Sequence, residues 1–442
     1  LHAVKSATAV GTDAPLAGAA ERGYTRTVLD GVRILAAPMR ERASVSIAFM
    51  FGTGSRVETA DECGLAHFIE HMVFKGGETY PTARRISEAV EGVGGALNAS
   101  TDREATIFWA KVPAERLDVA VSVLSDMLFA PRFLAEDVDR ERQVVIEELR
   151  MYEDSPQDHV HTLFDAVMWP DHPLGWDVAG TEATVQSFSA DDCRGHLQRH
   201  YRRDDLVVSV AGALDADAVE ALMSDALHRW RGDGSGGVEP LAATAPTGTA
   251  VSLLDRRASQ ANVVLGARAP SYRDERRFVA DILNVVLGEG MSSRLFLELR
   301  EERALAYDVH SFLTRVADSG TLAISLGCDP KRALEAMSAA VAELERLATE
   351  PVPLEELERA KEYARGRLAV QLESTSALCN HLGQQELLTG EILLAGDIAE
   401  RLLAVDPDAV RALAAEILSG GLRAAVIGPF RKLEPFLEVL RA

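Results

Sequence analysis

The sequence predicts an α+β protein made of two homologous mixed α/β domains, each a largely antiparallel sheet covered by helices. Three observations carry that reading. The chain has 442 residues, too many for one ordinary core. A stretch rich in Gly, Pro, Thr and Ala, beginning Gly232-Asp-Gly-Ser-Gly-Gly-Val-Glu-Pro, divides it into halves of similar length. The order of helical and strand-like patterns in the first half then recurs in the second, which points to a duplication.

Residues 1–23 read as an N-terminal tail of small residues and scattered charges, without the apolar centre of a secretory signal. The first domain spans 24–231. Its apolar runs Val45–Phe51 and Leu206–Ala213 are far too short to cross a bilayer and read as buried strands. A helix over Ala83–Val93 leads to alternating strands at Ala96–Ser100 and Ala105–Val112, and a helical run over Ala114–Phe129 follows. After Pro131-Arg-Phe-Leu-Ala-Glu-Asp-Val-Asp-Arg, another helix continues through Met151. Residues 232–250 form the linker, and 251–442 the second domain. There, Ser293–Glu302 reads as a helix, followed by strands at Tyr307–Val316 and Gly320–Cys328 and a helix over Lys331–Ala348. Pro351-Val-Pro-Leu-Glu-Glu-Leu-Glu-Arg opens a further helix and matches the proline-led segment of the first half if one residue is skipped.

Composition narrows the function. With 47% hydrophobic and 26% charged residues the chain is globular, not disordered. The net charge of −22 repels phosphate and excludes nucleic acid as a partner; an acidic enclosed site would favour basic peptides. Cys63, Cys193, Cys328 and Cys379 are scattered and form no CxxC pair, so they read as reduced thiols, fitting a cytoplasmic setting. An exported or organellar protein that had lost its leader would show the same pattern.

The chemistry lies in Gly64-Leu-Ala-His67-Phe-Ile-Glu70-His71-Met-Val-Phe. Residues four apart on a helix share one face, so His67 and His71 can grip one ion, and Glu70 falls on nearly the same face without being a ligand. This H-x-x-E-H order is the inverted zincin signature. Neutral imidazoles suit Zn²⁺, three protein ligands leave a position for water, and a carboxylate can take the proton of that water as it attacks a peptide carbonyl. The interleaved Leu65, Phe68, Ile69, Met72 and Val73 half-bury the helix, where polar groups need partners.

The third ligand must come from elsewhere, and the helix Glu141-Arg-Gln-Val-Val-Ile-Glu147-Glu148-Leu is its best source. Glu141 and Glu148, two turns apart, share a face, so helical geometry favours Glu148 only if Glu141 also faces the site, and Glu147 stays a rival. Cys63, four residues before His67, is a weaker competitor that reads as a small packed hydrophobe.

These residues closely resemble the pitrilysin family of zinc metallopeptidases, particularly the mitochondrial-processing-peptidase branch. The resemblance is carried by His67-Phe-Ile-Glu-His71-Met-Val-Phe-Lys-Gly, Gly94-Gly-Ala-Leu-Asn98-Ala99-Ser-Thr101 and Glu141-Arg-Gln-Val-Val-Ile-Glu-Glu148-Leu. It extends through Tyr152-Glu-Asp-Ser-Pro, His172-Pro-Leu-Gly, Gly180-Thr-Glu and Ala211-Gly212, covering nearly all of the chain past residue 24. It implies one Zn²⁺ per chain held by His67, His71 and Glu148, with Glu70 as catalytic base and Glu141 assisting without binding metal. It further implies that Arg300 and Tyr307 hold the substrate backbone and stabilise the oxyanion, and that Asn98 and Ala99 lie on the strand to which substrate adds. Gly288-Glu-Gly290-Met-Ser-Ser-Arg resembles the start of a glycine-rich loop found in one subunit type of that branch, but lacks its longer glycine run.

Family members of this size pair as dimers in which each metal site faces the second half of the partner. The implication here is a homodimer, with a heterodimer with a related chain as the variant. The first functional expectation is therefore an endopeptidase acting on peptides or unfolded segments. The alternative is a non-catalytic partner or assembly subunit, or a peptide-binding module, of the same fold.

Overall fold

The computed structural model describes residues 23–230, 240–244 and 248–441. The tail read over 1–23 therefore lies outside the described residues but for Gly23, as does most of the linker read over 232–250.

The first sheet has six strands: β1 (Thr25–Leu29), β2 (Val32–Pro38), β3 (Ser44–Phe51), β4 (Ala96–Thr101), β5 (Thr106–Pro113) and β6 (Leu206–Gly212). They lie in the order β1-β2-β6-β3-β5-β4, with only β2 and β6 running parallel. The second sheet comprises β7 (Ala250–Asp255), β8 (Ala261–Arg268), β9 (Ala306–Arg315), β10 (Gly320–Cys328) and β11 (Arg423–Gly428). Its order is β7-β11-β8-β10-β9, again with a single parallel pair, β7 and β11. Two largely antiparallel sheets covered by helices are thus present. Each ends on an open edge strand, β4 in one and β9 in the other.

The buried strand at the centre of the first sheet explains its apolar run. Val45, Ile47, Phe49 and Phe51 of β3 face the main core beneath Leu65, Phe68, Leu124 and Val145. Ala48 and Met50 face the other way, onto Cys379 and Leu382. That second face receives one helix, Thr375–Leu388, contributed by the other half of the chain. The favour is returned: Val160, Phe164 and Met168 of the helix Pro156–Met168, from the first half, pack against Val264, Ala323, Ala425 and Ile427 of the second sheet. Helical periodicity shows that a face is apolar but not which sheet it covers, so this exchange goes beyond the sequence reading.

Small residues make the crossing possible. Gly383 lies so close to the first sheet that a Cβ there would come within 2.5 Å of Met50 Sδ. Ser46 Oγ lies 2.9 Å from Thr375 Oγ1, and Ser209 Oγ donates to Cys379 O at 2.7 Å. Charge also ties the halves. Arg56, 3% exposed, pairs with Glu104 of the β4–β5 turn and, at 2.8 Å, with Asp318 of the β9–β10 turn. Glu104 Oε2 accepts the Ala317 N–H at 2.7 Å. The tips of the two hairpins that carry the open edges therefore meet.

One element differs in winding. The segment read as a helix over Ser293–Glu302 is a π-helix at Phe296–Glu302. Apolar spacing does not separate α from π winding over so short a run. The turn closes where Leu305 N–H reaches back to Leu299 O at 2.6 Å. All four cysteines are free and buried. Among the described residues no helix is long and apolar enough to cross a membrane.

Candidate metal centre

Leu65–Val73 forms an α-helix that buries Leu65, Ala66, Phe68, Ile69, Met72 and Val73. His67, Glu70 and His71 are left on its half-buried face. Gly64 fixes the start of the helix with φ 94°, and a Cβ at this position would lie 2.6 Å from Ala179 O. The first-turn amides, which have no partner within a helix, are taken by the buried Glu58 carboxylate from Gly64 N at 2.9 Å and Ala66 N at 2.6 Å. Burial pushes the Glu58 carboxyl up to about 8, although both amides draw it down.

Glu148, from the long helix Ala135–Asp154, completes a cluster. His67 Nε2 lies 4.0 Å and His71 Nε2 3.5 Å from Glu148 Oε2, and the two rings are 4.7 Å apart. A tetrahedral zinc with bonds of about 2.0–2.2 Å spaces its donor atoms roughly 3.3–3.6 Å apart, and these separations lie at or just above that range. Two imidazole nitrogens and one carboxylate oxygen are a fitting donor set for Zn²⁺.

The surroundings prepare each donor. His71 Nδ1 lies 2.9 Å from Glu141 Oε1, which turns Nε2 towards Glu148, and the other Glu141 oxygen pairs with Lys75. Glu141 is 4% exposed. Burial works against its ionisation, yet the His71 ring and the Lys75 ammonium bring its pKa below the ordinary range. Burial likewise lowers the pKa of His71, but Glu141 and the other nearby carboxylates overcome this and raise it. His67 is pushed down to about 4 by burial and by His71, which keeps it neutral. Its buried Nδ1 finds no partner among the described residues.

Glu70 stands beside the donors without joining them. Its Oε2 accepts a hydrogen bond from Thr101 Oγ1 at 2.6 Å. Burial raises the Glu70 pKa, and the Thr101 bond partly opposes that. The rival Glu147 points elsewhere, its side chain 71% exposed and bonded to Arg150 at 2.7 Å. Cys63 Sγ donates to Asp177 O at 3.6 Å, and burial lifts its thiol to about 12.

The strand pair β4–β5 borders the site. Asn98 lies exposed and Ala99 half-buried on the open edge strand β4, and the Ala99 N–H donates to the Asn98 side chain at 2.9 Å. Arg300 and Tyr307 come together on the second half. The Arg300 guanidinium stands 5.1 Å from the Tyr307 ring centroid. Two irregularities set this pair: Arg300 belongs to the π-helix, and Tyr307 sits in the β-bulge where Gly327 faces Asp308 but Cys328 faces Ala306. Tyr307 is 75% exposed. Among the described residues, the side-chain bonds of His67, Glu70, His71, Glu141 and Glu148 all stay within the first half, and none reaches Arg300 or Tyr307.

The sequence reading does not single out Lys75, Glu58 or Thr101 for the site. Lys75 follows His71 by four residues, a signal that helical spacing does contain. Thr101 and Glu58 arrive from other elements, and no local spacing announces them.

Comparison with known proteins adds an independent line. The profile described as "Insulinase (Peptidase family M16)" matches residues 33–182, and that described as "Peptidase M16 inactive domain" matches residues 187–363. An uncharacterized zinc protease of Streptomyces coelicolor is 37% identical over 410 residues, covering 92% of this chain and 89% of the relative. The uncharacterized zinc protease YmxG of Bacillus subtilis is 36% identical, covering 91% and 97%. Among solved structures, a protease from Helicobacter pylori superposes with a TM-score of 0.86 at 23% identity, covering 92% of this chain and 99% of that one. A peptidase M16 inactive domain from Pseudomonas fluorescens gives a TM-score of 0.85 at 17% identity, covering 92% and 98%.

Proposed function

The chain belongs to the insulinase, or M16, peptidase family, and from that premise we propose that it is a zinc-dependent endopeptidase acting on peptides or unfolded segments. One observation carries the reading: one donor atom each of His67, His71 and Glu148 lie within 4.8 Å of one another, with Glu70 on the same helix face.

One Zn²⁺ held by these three residues would supply Lewis-acid chemistry, lowering the pKa of a water and polarising the scissile carbonyl. Glu141 holds His71 in the orientation that presents Nε2, and Lys75 balances the Glu141 charge, so this carboxylate stays ionised. Glu70 takes the proton of the attacking water and passes it to the leaving amine. The substrate backbone adds to the open edge of β4 at Asn98 and Ala99, gaining affinity from main-chain hydrogen bonds with little demand on its sequence. The Arg300 guanidinium and the Tyr307 hydroxyl donate to the oxyanion.

Among the described residues, Arg300 and Tyr307 have no bond to the proposed metal-site residues, which supports supply of this pair by the second half of a partner subunit. The proposed assembly is a homodimer with two sites. The acidic chain favours basic peptides, and the four thiols fit a cytoplasmic setting.

The test is zinc content beside cleavage of a mixed peptide pool, for the wild type and for Glu70→Gln. A peptidase binds about one zinc per chain in both proteins and loses cleavage only in the variant. Zinc binding with intact peptide in the wild type would mean a partner or binding module instead.

A further inference from the structure

Thr101 is the last residue of β4, the strand to which substrate is proposed to add, and its hydroxyl is the one side-chain donor to Glu70 among the described hydrogen bonds. Along β4 exposure alternates. Ala96, Asn98 and Ser100 face solvent, while Leu97, Ala99 and Thr101 turn inward, where Leu97 and Ala99 pack against the core that includes Leu65, Phe68 and Ile69. The strand therefore lies on the metal-binding helix, with Thr101 at the level of Glu70. On its other side Thr101 is paired with Thr106 of β5, so its position is fixed by the sheet.

From this juxtaposition we infer that Thr101 is a positioning residue, which fixes the Glu70 carboxylate and couples its orientation to the strand that receives the substrate. A carboxylate on a side chain with three rotatable bonds samples many orientations. A 2.6 Å bond to Oε2 removes most of them and ties the carboxylate to the end of β4. The bond joins two elements, so a peptide added to β4 meets the base at a set position along the strand.

The inference rests on the peptidase reading, and the experiment separates the two. Thr101→Val keeps the shape and β propensity of the residue but loses the hydroxyl; Thr101→Ser keeps the hydroxyl. Zinc content, KM and kcat are measured for full-length wild type and both variants on one peptide. The Val variant is expected to hold zinc as the wild type does and to keep KM within about twofold. Its kcat should fall by roughly tenfold to a hundredfold, part of the ~10²–10⁴ that a placed base contributes. Ser should restore kcat to within about threefold of the wild type, since the same donor returns.

An unchanged kcat in the Val variant would overturn the inference, as would a loss confined to KM or an equal loss in the Ser variant. If the Val variant does not fold, Thr101→Ala carries the same expectation and the same reversals. A wild type that binds zinc but cleaves nothing would sink the peptidase reading itself, a result the Thr101 comparison cannot mimic.

Discussion

At the scale of single residues, protons and metal would compete for His71 in the proposed centre. Glu141 raises the His71 pKa against the effect of burial, so His71 is protonated below that raised value and neutral above it. A metal requires the neutral ring. Zinc affinity is thus expected to fall as pH drops through the raised pKa. Glu141→Gln removes the charge that raises it, moving the acid loss to lower pH, while affinity near neutrality falls by about 10–100-fold because the ring is less firmly held. Competition titrations against a chromophoric chelator at several pH values check both effects; coincident curves for wild type and variant would contradict them. The Nδ1 of His67 has no carboxylate partner among the described residues, and burial and His71 already drive this ring down to about 4, so it adds little to the pH dependence near neutrality.

At the scale of elements, the centre is only as rigid as the start of the His67 helix. Gly64→Ala puts a Cβ within 2.6 Å of Ala179 O and an L-residue at φ 94°. Thermal or urea unfolding should show a loss of about 2–4 kcal/mol, with ~1–2 from the left-handed backbone and the rest from overlap. A loss below about 0.5 kcal/mol, the range of an ordinary surface change, would mean that this turn can give way. The helix itself was legible in the sequence, because His67, Glu70 and His71 fall on the face opposite Phe68, Ile69 and Met72. The choice between Glu147 and Glu148 was not legible from helical spacing, since it depends on how a distant helix is rotated about its axis. Periodicity gives β3, β4, β5, β6, β9 and β10, but the reading does not cover β1, β2, β7, β8 and β11, nor the two exchanged helices Pro156–Met168 and Thr375–Leu388. The π winding around Arg300 and the bulge at Tyr307 could not be read from it, because Leu295 and Leu299 have a spacing that several windings satisfy. Nor could Thr101 be tied to Glu70 before β4 was laid against the helix.

At the scale of the whole molecule, the proposed division of labour between chains has a direct test. Glu70→Gln and Arg300→Ala each disable the site through a different half. Co-expressed, they should form mixed dimers in which one intact Glu70 faces one intact Arg300, restoring about a quarter of wild-type activity when pairing is random. No recovery would mean that both residues act within one chain. The exchange of Pro156–Met168 and Thr375–Leu388 between the two sheets bears on how such an assembly works. Cutting the chain near residues 240–244 should yield fragments that stay clasped, since separating them would strip Phe164 and Met168 from one sheet and Cys379 and Leu382 from the other. A hinge inside the subunit would have to break that same clasp. The clasp makes the chain a stiff block, and in the proposed dimer any gating of peptide entry would fall to the joint where two such blocks meet.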